Sequence, residues 1–280
     1  MQAHKNVQIV QENSKPILAD FYFKNDQKQK SVVIFCHGYK GYKDWGAWNL
    51  MVEAFVNANL FFAKFNFSHN GGTMENPIDF PDLAAFGENT FTKELDDIET
   101  VLDYISTEAA FKNNIDLNDI TLVGHSRGGG IVLVKAGESE RIKRVVSWAG
   151  VSDFGARFPT GDALAGWKTN GVAYIENART KQQMPHLFGF YTNFKENEAR
   201  LTIQSSVKRL QIPLLIIQGE KDEVVTSVEA TCLKQWNPSA ALKMMPNANH
   251  TFGCAQPWTQ DTMPDDLVEV VKTTIDFIKK

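Results

Sequence analysis

The string Gly124-His-Ser-Arg-Gly128 places a serine two residues from a glycine on either side. A serine hydroxyl becomes a useful nucleophile only when a base takes its proton and a carboxylate orients that base. Candidates for both partners lie downstream. His186 and His250 are the two histidines after Ser126, and His250 closes the run ALKMMPNANH. Glu220, Asp222 and Glu223 follow the apolar run Pro213 to Ile217. The chemistry such a set would perform is acyl transfer. The serine attacks a carbonyl, the imidazole relays the proton, and backbone N–H groups hold the tetrahedral oxyanion.

Three fixed positions are matched by accident about one time in twenty in a chain of this composition, so the surroundings must carry the weight. Ile120 to Val123 form an apolar strand directly before the motif, and Gly128-Gly-Gly130-Ile-Val-Leu-Val reads as a helix packed closely on a sheet. A strand-to-helix turn forces strained backbone at the serine. The residues two before and two after, Gly124 and Gly128, must then lack side chains. The same turn sets Ser126 at the positive end of a helix and aims the Arg127 N–H at a substrate oxygen.

The remaining elements must bring the distant partners to that turn. Alternating segments around Val7 to Val10 and Ile17 to Phe23, broken by Asn13-Ser-Lys-Pro16, predict an antiparallel hairpin. From about residue 31 onward, strands and helices alternate. SVVIFCHG, LFFAKFNF, DITLVGH, KRVVSWAG, PLLIIQG and ALKMM read as strands, several buried on both faces. Leu95, Ile98, Val101, Leu102 and Ile105 mark a long amphipathic helix, and Leu267, Val271, Ile275 and Ile278 the inner face of a last one. This rhythm predicts a mostly parallel sheet flanked by helices, with ligands at the carboxyl ends of its strands. The loops carrying Asp222 and His250 fall at such ends. Between Gly150 and Ile212 the rhythm stops, and eight aromatic residues crowd a stretch without strand period. We expect one domain over 1–280 with a cap insertion at 151–205 built of short helices, Trp167 and Phe190 being candidate substrate contacts.

Of the 280 residues, 43% are hydrophobic and 22% charged, which supports a packed core. Lys+Arg of 29 against Asp+Glu of 33 gives a net charge of -4, with no basic footprint for nucleic acid or for a membrane surface. The apolar runs are of strand length, and the first fifteen residues hold no apolar leader core. Cys36, Cys232 and Cys254 are odd in number and lack metal-ligand spacing, so a reduced cytoplasmic chain with no metal or cofactor is the expectation. Oligomeric state is not legible.

The order Ser126, Asp222, His250 with its Gly-x-Ser-x-Gly elbow resembles the α/β-hydrolase superfamily. Within it the chain looks most like dienelactone-hydrolase and serine-aminopeptidase-like esterases. His37-Gly38 looks like that family's oxyanion loop, GEKDEVV like its acid loop and NANHTF like its histidine loop. The resemblance implies Asp222 as the acid, and backbone N–H groups of Tyr39 and Arg127 as the oxyanion hole. His37 would support the Tyr39 loop. One departure is visible: where relatives often carry Asp-x-Arg-Gly-x-Gly, this chain reads Asn66-Phe-Ser-His-Asn-Gly71.

Other readings of single residues stay structural. His186 is expected to pack at the cap rim, His125 to point away from the nucleophile, and His69 to be a solvated loop residue. Glu220 and Glu223 are expected in solvent, and Cys36 in the core. The function expected is therefore a serine hydrolase of a small acyl substrate. An aminopeptidase would instead need an acidic anchor for a free amine, with Asp153, Asp162 and Glu176 the residues to inspect. A binding module that has lost its chemistry would have no need for a base aimed at a serine.

Overall fold

The computed structural model describes residues 1–12 and 14–280. In chain order the main elements are β1 (Gln2–Ile9), β2 (Ile17–Phe23), β3 (Ser31–Cys36), α1 (Met51–Asn57), β4 (Phe61–Asn66), α2 (Leu83–Gly87), α3 (Phe91–Thr107), β5 (Asp116–His125), α4 (Arg127–Glu138) and β6 (Ile142–Trp148). After β6 come α5 (Gly161–Asn170), β7 (Val172–Glu176), β8 (Gln183–Leu187), α6 (Gly189–Glu196), α7 (Glu198–Leu201) and α8 (Ile203–Arg209). The chain then returns through β9 (Leu214–Gly219), α9 (Ser227–Trp236), β10 (Ala241–Met245) and α10 (Asp265–Ile278).

Eight strands form one sheet in the order β1-β2-β4-β3-β5-β6-β9-β10. β1 and β2 pair antiparallel, as does β2 with β4; every later pairing is parallel. This is the α/β-hydrolase fold. The N-terminal hairpin is present, although its connection includes Asn13, which lies outside the described residues. β3, β4 and β9 are buried along almost their whole length, which explains their unbroken apolar sequences.

Helices cover both faces. One core gathers Ile34, Leu122 and Val145 of the sheet against α3 and α4. The other packs Val33, Val123 and Ile217 against α1 and α10. α3 starts where Thr90 accepts the Lys93 N–H, and its buried stripe includes all five predicted apolar positions. Among the described residues no helix is long and apolar enough to cross a membrane.

The segment after β6 holds the expected short helices, and with them a feature not signalled in sequence: β7 and β8 form a separate antiparallel hairpin. Its β8 edge meets α2, where Gly87 lies against Pro185. α8 packs back on α4, next to Gly137.

Candidate active site

Ser126 sits between the end of β5 and the start of α4 with φ 58 and ψ -120, a left-handed conformation unusual for a residue with a side chain. Neighbouring backbone holds it there. Its N–H donates to the Trp148 carbonyl at 2.9 Å, and its carbonyl accepts the Gly129 and Val151 N–H groups. A Cβ added at Gly124 would lie 2.2 Å from the Gly128 carbonyl oxygen, so a side chain there would force the turn open. Gly38 faces Ser126 itself: a Cβ there would stand 2.8 Å from Ser126 Cβ.

The structure brings Ser126, His250 and Asp222 together, each from a loop at a strand's carboxyl end. His250 Nε2 is 3.0 Å from Ser126 Oγ, and its Nδ1 is 2.8 Å from Asp222 Oδ2. Asp222 is buried, and four donors surround it. Oδ2 accepts from His250 and from Gln218 Nε2 at 3.1 Å; Oδ1 accepts the Val224 and Val225 N–H groups at 2.8 Å each. Burial pushes its carboxyl up, but the His250 hydrogen bond and the two backbone donors outweigh that and leave it below its ordinary range. A carboxylate so fixed keeps the Nδ1 proton on His250 and leaves Nε2 free to accept one from Ser126. Glu220 and Glu223 are exposed.

Supporting groups come from residues far apart in sequence. His37, buried and lowered to about 4 by that burial, accepts the Phe67 N–H at Nε2. Its Nδ1 donates to the Gly38 carbonyl at 2.9 Å, which braces the loop before Tyr39. Among the described residues the Tyr39 and Arg127 backbone N–H groups have no protein acceptor. His125 turns away from the serine, and its Nε2 donates to the His250 carbonyl at 2.8 Å, holding the histidine loop from below. His69 is not solvated as expected. It is buried between Ser68 Oγ at 2.8 Å and Lys93 Nζ at 3.1 Å, which shield it from water.

Two hollows meet at Ser126. The larger, about 660 Å³, is walled by aromatic rings that include Phe91, Phe158, Trp167 and Phe190. Trp167 is fixed by its Nε1–H donating to the His186 carbonyl at 2.7 Å. The smaller, about 330 Å³, is more polar and is bordered by His250, Trp45, Asn177 and Gln256. The Tyr39 ring borders both, and its hydroxyl is 2.7 Å from His186 Nε2 on β8. That bond ties the β7–β8 hairpin to the loop beside Ser126, 147 residues apart, and gave no signal in sequence. The three acidic residues that could anchor an amine lie elsewhere. Asp153 accepts the Gly155 N–H, Asp162 is exposed, and Glu176 pairs with Lys181. Among the described residues no three His, Cys, Asp or Glu side chains cluster so as to hold a metal ion.

Comparison with known proteins agrees with this architecture. A provisionally named esterase/lipase of Mycoplasma pneumoniae is 31% identical over 134 residues, which are 48% of this chain and 42% of that protein. The chain thus spans less than half of that relative. The non-heme chloroperoxidase CPO-A1 of Kitasatospora aureofaciens is 25% identical over 88% of this chain and 94% of its own. Among solved structures, Est1E from Butyrivibrio proteoclasticus superposes with a TM-score of 0.70 at 16% identity, covering 99% of each chain. The BD-FAE family model matches residues 19–236. With most of the sheet, the elbow and the acid loop inside that match, the chain belongs to the BD-FAE family of the α/β-hydrolase superfamily.

Proposed function

We propose that the protein is a serine hydrolase that cleaves carboxylic esters through an acyl-enzyme. Ser126 Oγ attacks the carbonyl carbon while His250 Nε2 takes its proton; Asp222 holds the imidazole in the right tautomer and supports its charge. The Tyr39 and Arg127 N–H groups receive the oxyanion, each worth on the order of 3 kcal/mol when preorganised. His250 then returns the proton to the leaving oxygen, and water repeats the sequence in reverse roles. The observation that carries this reading is the unbroken line from Asp222 Oδ2 through His250 to Ser126 Oγ, at 2.8 and 3.0 Å.

The two hollows divide the substrate. Because His250 hands a proton to the departing alcohol, that alcohol must leave on the side His250 borders, the smaller polar hollow. The acyl group then occupies the aromatic cavity, with Trp167 and Phe190 among its walls. Est1E has been solved with ferulic acid bound, an acid whose ring would suit such walls. The aminopeptidase reading has less support. Neither Asp153, Asp162 nor Glu176 lines either hollow, while the charged residues on the aromatic cavity are Arg127 and Arg157. A free amine would meet cations there.

A panel of p-nitrophenyl esters of graded acyl length, run beside aminoacyl-p-nitroanilides, tests the reading. Esters should be turned over and anilides left largely intact. Faster cleavage of the anilides would replace it with a peptide-hydrolase function.

A further inference from the structure

We propose that the acyl cavity selects acids carrying a second, ionised carboxylate a few bonds from the attacked carbonyl, recognised by the Arg127 guanidinium. The inference rests on the ester-hydrolase reading above and adds the charge of the acyl group to it.

Arg127 follows the nucleophile directly, and its side chain turns into the aromatic cavity. The guanidinium carbon lies 4.3 Å from the Tyr39 ring centroid and 5.4 Å from those of Phe91 and Phe190, three rings that wall the same space. Its side chain is 17% exposed. A guanidinium offers five N–H donors. Among the described residues it makes one polar contact, from Nη1 to Glu94 Oε1 at 3.4 Å. Glu94 is shared: Oε1 also accepts Asn89 Nδ2 at 2.7 Å, and burial pushes its carboxyl up against the opposing pull of Arg127. The remaining donors face the cavity, where a ligand carboxylate can take the place of water.

The second arginine on the cavity makes the contrast. Arg157 is committed to the Glu229 carboxylate and donates to the Val224 carbonyl at 3.2 Å. Among the described residues no aspartate or glutamate lines the cavity itself; the nearest, Glu94, lies buried behind Arg127 at 3.4 Å. The planar fork of a guanidinium matches the two oxygens of a carboxylate, and the flanking rings suit a short apolar stem between the two ends. Adjacency to Ser126 limits that stem to a few carbons.

The test compares monomethyl glutarate with methyl 5-methylhexanoate, in which an isopropyl group replaces the carboxylate at equal length. Methanol release is followed with the full chain. Wild type should favour the half-ester by about 10- to 100-fold in kcat/KM, the range of a hydrogen-bonded charge contact, and chiefly through KM. Arg127→Gln should bring that ratio to about one or below, and Arg127→Lys should fall between, because it keeps the charge but not the fork. The ratio is the readout, so a general loss of rate in a variant does not blur it. Glutaramate should also protect Ser126 from a fluorophosphonate at concentrations at least tenfold lower than the uncharged 5-methylhexanamide does. A wild-type ratio at or below one, a ratio that Arg127→Gln leaves unchanged, or equal protection by the two amides overturns the inference. If Ser126 is labelled and the neutral ester cleaved in that case, the ester-hydrolase reading stands alone. If neither ester is cleaved and Ser126 stays unlabelled, both fall.

Discussion

Asp222→Asn isolates the orienting carboxylate, because the surrounding donors dictate how the amide must sit. Oδ1 of the native side chain accepts two backbone N–H groups at 2.8 Å, from Val224 and Val225. An asparagine keeps those bonds only by placing its carbonyl oxygen there. Its NH2 group then occupies the Oδ2 position, facing His250 Nδ1 at 2.8 Å and Gln218 Nε2 at 3.1 Å. Donor now meets donor. His250 can relieve this only by losing the Nδ1 proton and carrying it on Nε2, where it can no longer accept one from Ser126. The equivalent change in serine proteases lowers turnover about 10⁴-fold, and four factors of ten correspond to about 5 kcal/mol of barrier. We expect a loss of several orders of magnitude in kcat on a p-nitrophenyl ester, with KM changed far less. Glu220→Gln and Glu223→Gln, both exposed, should stay within about tenfold of wild type. An Asp222→Asn enzyme that keeps more than a tenth of its kcat would refute the reasoning, as would a Glu223→Gln enzyme that loses as much.

Two further outcomes are expected. Burial lowers His37, His69 and His186 to about 4 and His125 to about 3, whereas in the unfolded chain each titrates near its ordinary value of about 6.5. Between those values the unfolded state binds more protons, so these four make stability fall as pH drops from about 6.5 toward 4. Asp97, raised by burial to about 7, and Glu94, raised likewise, act in the opposite sense but are outnumbered. The melting temperature should therefore be lower at pH 5 than at pH 8, and a flat or inverted profile would contradict the buried neutral histidines. Replacing Trp167 or Phe190 with alanine should shift acyl-length preference by at most roughly 10–200-fold while sparing a small acetyl ester. An equal collapse on every ester would mean that these rings hold the cap together instead.

Much of the candidate site was legible because each proposed member sits where a local pattern changes. Ser126 follows an apolar strand in a glycine-flanked turn, Asp222 follows the buried run Leu214 to Ile217, and His250 lies in the loop after a shorter strand. Sheet and helices were legible for the same reason: residues buried on both faces leave continuous apolar runs, and Leu95 to Ile105 repeat at helical spacing. What failed to show depends on contacts between distant segments. β7 and β8 have little burial and no alternation, and Pro185 sits inside β8, so their pairing leaves no periodic trace. His69 looked solvated because its loop is polar, yet Lys93 and Ser68 enclose it. The His125 bond to the His250 carbonyl and the Tyr39 bond to His186 each span more than a hundred residues. No short window of sequence contains both ends.

The central claim is that Ser126 is the nucleophile, and covalent capture tests it most directly. The protein is treated with a fluorophosphonate, digested, and the modified peptide identified by mass spectrometry. A hydroxyl 3.0 Å from His250 Nε2 should react far faster than any other serine, giving one adduct per chain on Ser126. Ser126→Ala should take up no label while keeping its fold by circular dichroism. The variant should melt no lower than wild type, since the group removed is placed for reaction rather than packing. Stoichiometric labelling that persists in Ser126→Ala, or an adduct on another residue of the wild-type chain, would contradict the account.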